Sequence, residues 1–167
     1  MARIRLRNDD LGYETNCFVC EPTNESGLRI PFFHDDERDV VTAELNLPGA
    51  FSGAPTMLHG GVVLAVLDEA MAWACIAIAR RWAVTAETST TFHRAVRVDV
   101  PHAVEAEVLE RGDGELRCAG RVLDVKGNVR AESHATFTVL GEAQFLRAVG
   151  ADDGEAMRSS ARLEPDG

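Results

Sequence analysis

Residues 62–79 are apolar at every position except Asp68 and Glu69, and this stretch constrains the chain more than any other. No Pro or Gly interrupts it, and Ala and Leu dominate, so it reads as a helix. Because it is apolar nearly all round, it must be buried on most sides. Its length suits a membrane span. Two adjacent carboxylates at mid-span argue against one, since each would cost about 2.5–3.5 kcal/mol at a bilayer centre. The pattern predicts instead the central helix of a soluble domain, with other elements wrapped round it and many Ala side chains letting a sheet come close. Arg80 and Arg81 end the run with charges that suit a helix C-terminus.

Two features of this helix carry chemistry. It begins at His59-Gly60-Gly61. A helix N-terminus leaves backbone N–H groups unpaired, and glycines let a ligand approach them. That makes a site for an anion or a developing oxyanion. The second feature is Asp68, deep in the apolar run, where a carboxylate must be paired, protonated or placed in a cavity. Glu69 lies about 100° further round and is expected to face elsewhere.

The rest of the chain fits one domain. Its 167 residues carry a net charge of −10, which disfavours nonspecific binding to nucleic acid or anionic membranes. Three Arg in the first seven residues are followed by no apolar signal core, so the expected compartment is the cytoplasm. Cys75 and Cys118 read as packing residues. Cys17-Phe18-Val19-Cys20 is a C-x-x-C pair, half of a zinc site. His34 is a third ligand candidate and a fourth is missing, so the pair is also read as packing, with no metal and no cofactor expected.

Strand signals flank the helix. A first strand is expected over 29–34 and a second over 40–47, where Val41, Ala43, Leu45 and Leu47 alternate with polar residues. After the helix, strands are expected over 83–94, 102–110, 116–125 and 129–140, with turns at Gly112-Asp113-Gly114 and Lys126-Gly127-Asn128. The order is strand, strand, helix, then four strands in meander. This is an α+β domain, an antiparallel sheet of five to six strands curled round one long helix. Residues 1–16 read as an extension and 17–140 as the domain. Residues 141–167 read as a tail with a short helix near 142–149 and disorder beyond.

These residues resemble the hotdog-fold acyl-CoA thioesterases, in the phenylacetate-pathway-like branch. The resemblance is carried by His59-Gly60-Gly61 with Asp68 nine residues after the His, and by the preceding loop Gly53-Ala54-Pro55-Thr56-Met57-Leu58. It is also carried by Val84-Thr85-Ala86 with Thr91-Phe92-His93-Arg94, by the segment 124–132, and by the lead-in with Cys17, Cys20, Asn24 and Gly27-Leu28. Where members often have Gly after the second Cys, this chain has Glu21.

The resemblance implies hydrolysis of an acyl-CoA to free acid and CoA. Asp68 would serve as general base or nucleophile, the Gly60 or Gly61 N–H as oxyanion donor, and His59 and Thr85 would stand beside them. Leu58, Thr91, His93 and Arg94 would touch the substrate or its CoA arm. A non-catalytic acyl-CoA binding or sensing module on the same fold is the alternative. His59 and Asp68 lie about 13 Å apart along a helix rising 1.5 Å per residue, so they cannot both reach one carbonyl from a single chain. The site is therefore expected to be shared across a two-fold homodimer, with a dimer of dimers also compatible.

Overall fold

The computed structural model describes residues 3–150 of the chain. Its elements are β1 (Arg3–Leu6), β2 (Phe32–Asp35), β3 (Val40–Leu45), β4 (Ser52–Ala54), β5 (Met57–Leu58), α1 (Gly60–Ala77), β6 (Ala83–Phe92), β7 (His102–Arg111), β8 (Glu115–Leu123), β9 (Val129–Val139) and α2 (Glu142–Val149). Short 3-10 turns stand at Asn8–Leu11 and Gly49–Phe51.

The main sheet is antiparallel and seven-stranded, in the order β1-β2-β3-β7-β8-β9-β6. It wraps α1, which lies against β3, β6, β7, β8 and β9. This is the hotdog arrangement expected from the sequence, with two corrections. The sheet has one strand more than expected, because β1 pairs with β2 (Ile4↔His34) inside the segment read as an extension. The four later strands do not form one meander. Only β7, β8 and β9 do so, while β6 crosses to pair with β9 at the far edge. Apolar alternation places a residue on a face, but says nothing about which strand lies alongside it.

Helix α1 buries Val63, Val66, Leu67, Ala70, Met71, Trp73, Ala74, Cys75 and Ala77. Opposite them stand Val104 and Ala106 of β7, Leu116, Cys118 and Val122 of β8, and Ala131, Ala135 and Phe137 of β9, all in one core. Gly120 sets the helix–sheet distance. A Cβ there would lie 3.3 Å from both Leu67 Cδ2 and Met71 Cγ. Among the described residues α1 is the one helix long and apolar enough to cross a membrane, and half of it is buried within the fold. It ends two residues earlier than the apolar run. Arg80 adopts a left-handed φ of 57°, and the Ala79 and Arg81 N–H groups turn back to the carbonyls of Ala74 and Cys75.

The segment before β2 covers part of the helix face that the sheet leaves open. Leu11, Val19, Leu28 and Ile30 are buried in the same core. The Leu28 and Ile30 N–H groups donate to the carbonyls of Phe18 and Val19. Strand β2 begins at Phe32 rather than at residue 29, because Arg29 takes a positive φ of 55° and its guanidinium bonds the carbonyls of Asn24 and Glu25. Tyr13, Trp82 and Phe145 stack within 6.0 Å of one another and tie this segment to the start of β6 and to α2. The expected disorder beyond the short C-terminal helix concerns residues 151–167, which lie outside the described residues.

Candidate active site

The site begins at the helix start. His59 is the N-cap of α1, and its Nδ1 accepts the Gly61 N–H at 3.0 Å. Nδ1 is therefore the unprotonated nitrogen, and the neutral ring carries its proton on Nε2. This bond also occupies one of the two expected oxyanion donors. The Gly60 N–H has no protein acceptor among the described residues. His59, Gly60 and Gly61 are all exposed. The β4–β5 hairpin supports them from behind, with Gly53 packed so closely that a Cβ there would lie 3.1 Å from His59 Cα. The Phe92 ring stands over Gly60, 3.5 Å from the position a Cβ would take.

The second half of the site lies two turns along the helix. Asp68 is half-buried rather than fully enclosed, and its Oδ1 accepts the Thr85 hydroxyl at 2.7 Å. A β-bulge aims Thr85 at the helix. The register between β6 and β9 shifts between Thr85 and Glu87, leaving Ala86 as the extra residue. Thr88, Thr90 and Phe92 face the helix side, opposite the buried Ala135, Ser133 and Ala131. An unbroken strand would turn an odd-numbered residue outward. The bulge changes that parity, and Thr85 pairs with the fully buried Phe137 on the inner face.

The expected binding residues are placed less uniformly. Thr91 pairs with Glu132 on the outer face of β6, and His93 Nε2 meets Glu132 Oε1 at 2.8 Å. Arg94 is exposed with no acidic partner among the described residues, while its N–H and that of His93 donate to the Arg130 carbonyl. Arg130 in turn is held by Asp124 at 2.8 Å. Leu58 is only 6% exposed and packs into the core, so it presents almost no surface to a ligand in the single chain.

Within one chain the structure brings Asp68 to Thr85, and His59, Gly60 and Gly61 to the Phe92 end of β6. It does not bring the two groups together. Gly60 and Asp68 are eight residues apart on one helix, about 12 Å at 1.5 Å per residue. Sequence reasoning passed over Phe92 as a wall of the helix start and Ala86 as the bulge. An aromatic in a strand and an Ala in a Thr-rich run carry no local signal of either role. Glu69, expected to face elsewhere, turns toward Cys17 at 3.4 Å. Burial, and then the Cys17 charge beside it, push its carboxyl up to about 8.

Residues 56–131 match the family model of the thioesterase superfamily. This stretch, a little under half of the chain, runs from the helix lead-in through α1, β6, β7 and β8, and the architecture around it is that of the hotdog fold.

Solved structures agree on the fold. The thioesterase superfamily protein RHA08564 superposes with a TM-score of 0.69 at 22% identity, over 74% of this chain and 60% of that one. The chain thus spans 60% of the length of that relative, less than two thirds. A hypothetical thioesterase from Streptococcus pneumoniae TIGR4, solved with coenzyme A, gives 0.58 at 17% identity, over 61% of this chain and 79% of that one. The PaaI protein of E. coli, from the phenylacetic acid degradation operon, gives 0.57 at 16% identity, over 62% and 74%. No curated protein matches the sequence.

Proposed function

We propose that this protein is an acyl-CoA thioesterase of the PaaI-like branch, with Asp68 as general base. The observation that carries the reading is the 2.7 Å bond from Thr85 to Asp68 Oδ1, set on a half-open helix face by a bulge. One carboxylate oxygen is fixed by that bond. The other is left to take a proton from water as the water attacks the thioester carbon. The tetrahedral oxyanion is then met by the Gly60 N–H at a helix N-terminus. As the C–S bond breaks, the sulfur leaves as CoA thiolate and takes up the proton that Asp68 received. Arg94, exposed and without an acidic partner among the described residues, is the side chain assigned to the CoA phosphates. That a hotdog neighbour was solved with coenzyme A supports the choice of thiol carrier.

The separation of Asp68 from Gly60 requires a second copy. The features that favour a homodimer are the nearly continuous exposure of β6, the exposed Val84 and Phe92, and the exposed helix start beside them. In such a dimer one chain supplies Asp68 and Thr85 and its partner the helix N-terminus.

The test measures thiol release from a panel of acyl-CoAs together with direct binding of the same compounds. Wild type is expected to bind and turn over. Asp68→Asn is expected to bind while losing more than about 100-fold in kcat, the scale of general-base catalysis. Binding without turnover by the wild type would make it an acyl-CoA binding module instead. Full turnover by Asp68→Asn would remove Asp68 from the chemistry.

A further inference from the structure

Cys17 and Cys20 do not stand alone under the N-terminal segment. Glu69, from the middle of α1, reaches them, and the ligating atoms of the three residues all lie within 4.8 Å of one another. His34, the sequence candidate for a third ligand, is instead engaged with Asp39 at 3.1 Å. The Asn8 side-chain amide borders the cluster, its Nδ2 3.4 Å and its Oδ1 3.6 Å from Cys20 Sγ. Its orientation is fixed because Asn8 Nδ2 donates to Glu21 Oε2 at 3.0 Å, and Glu21 is itself held by the Thr23 hydroxyl at 2.7 Å. Glu21 thus orients Asn8.

The distances come within about 0.2 Å of those a tetrahedral cation imposes. With Zn–S near 2.3 Å and Zn–O near 2.0–2.2 Å, the ligand–ligand edges are about 3.5–3.8 Å. Cys17 Sγ and Glu69 Oε1 are 3.4 Å apart, and Cys20 Sγ and Asn8 Oδ1 3.6 Å apart. The Val19 N–H points at Cys17 Sγ at 3.4 Å, a backbone donor to sulfur of the sort that supports a bound thiolate. Ionised together, two thiolates and a carboxylate would carry three negative charges in a half-buried place, and a divalent cation would offset two of them.

We infer that Cys17, Cys20, Glu69 and Asn8 form a structural site for a zinc-like divalent cation, with Glu21 as its outer support. This departs from the packing role expected for the pair. The ligands come from the 3-10 turn Asn8–Leu11, the loop at 17–20 and the centre of α1. The ion would clip the N-terminal segment onto the helix, one residue from Asp68. Its uptake requires the ligating sulfurs and carboxylate in their ionised forms, so binding is accompanied by release of the protons they hold.

The test uses the full chain without a metal-binding tag, reduced and under inert gas, titrated with Co2+. The expected result is one equivalent bound, with the intense visible bands of tetrahedral cobalt and sulfur-to-cobalt charge transfer, all displaced by Zn2+. Trp73 lines the cleft beside Asn8, Cys17 and Glu69, so its emission should be quenched in step. Glu21→Ala should weaken the affinity roughly 10–100-fold, as for an outer support, and Cys75→Ser should leave it unchanged. Three outcomes would overturn the site: no cobalt bands from wild type with both thiols counted as free, uptake that survives Cys17→Ser with Cys20→Ser, or a Cys17–Cys20 disulfide forming with oxidised glutathione in protein that takes up no metal. The first and last need no variant to fold.

Discussion

The Thr85 hydroxyl donates directly to the Asp68 carboxylate in the candidate active site. A hydrogen bond to a charged group is worth about 1.5–3 kcal/mol, which is roughly 10–100-fold in rate if it acts in the transition state. Thr85→Val should therefore lower kcat by that factor, and Thr85→Ser should restore it, both read by thiol release. Equal turnover in all three would show the bond to be idle. Asp124 illustrates a second use of a carboxylate. It accepts the N–H groups of Lys126 and Asn128 and the guanidinium of Arg130. The Asn128 contacts, then those of Lys126 and Arg130, hold its carboxyl well below the usual range. The unfolded chain, with Asp near about 3.9, takes up its proton first. The stabilisation is thus whole above that pH and is lost as pH falls through the lower folded value. Asp124→Asn should lower Tm at neutral pH, and the gap should close below about pH 4. A gap of constant size down to strong acid would mean that the charge is irrelevant.

At the scale of elements, α1 and five of the seven main-sheet strands were legible. The helix is a long apolar run, and β3, β6, β7, β8 and β9 lie within or close to the alternating stretches that announce them. Strand β2 was read as starting three residues early, since the turn at Arg29 depends on its side-chain bonds to the carbonyls of Asn24 and Glu25. Strand β1 was not legible, because Arg3–Leu6 is short, charged and mostly exposed. The pairing of β6 with β9 was hidden for another reason: it joins residues such as Thr91 and Glu132 that are far apart in sequence. The helix start and Asp68 could be read from composition and spacing. The Glu69–Cys17 contact spans 52 positions and could not. Two predictions belong here. Gly120→Val should destabilise the fold by about 1–3 kcal/mol through overpacking, seen as a lower Tm, because Leu67 and Met71 already touch the glycine. Deleting Ala86 should leave both the far-UV spectrum and the activity near wild type, because it joins Thr85, opposite Phe137, directly to Glu87, opposite Thr136, and keeps Thr85 on the inner face. A loss of activity as deep as in Asp68→Asn would show that the bulge does more than set that parity.

For the whole molecule, the shared-site model can be tested by mixing two inactive variants, Asp68→Asn and Gly60→Pro, under conditions of subunit exchange. In each heterodimer one site combines both defects and the other is intact. A random mixture should therefore recover about a quarter of wild-type activity. Exchange without recovery, or full activity from a sedimenting monomer, would sink the model. The sheet order has a further consequence for synthesis. The strands that cover α1 on one side, β7 to β9, leave the ribosome after it. The roughly sixty residues between Ala77 and Val139 take several seconds at about 5–20 residues per second. For that interval an 18-residue helix with the hydropathy of a membrane span waits for half of its cover, and the nascent chain passes through its most aggregation-prone state before its last strand exists.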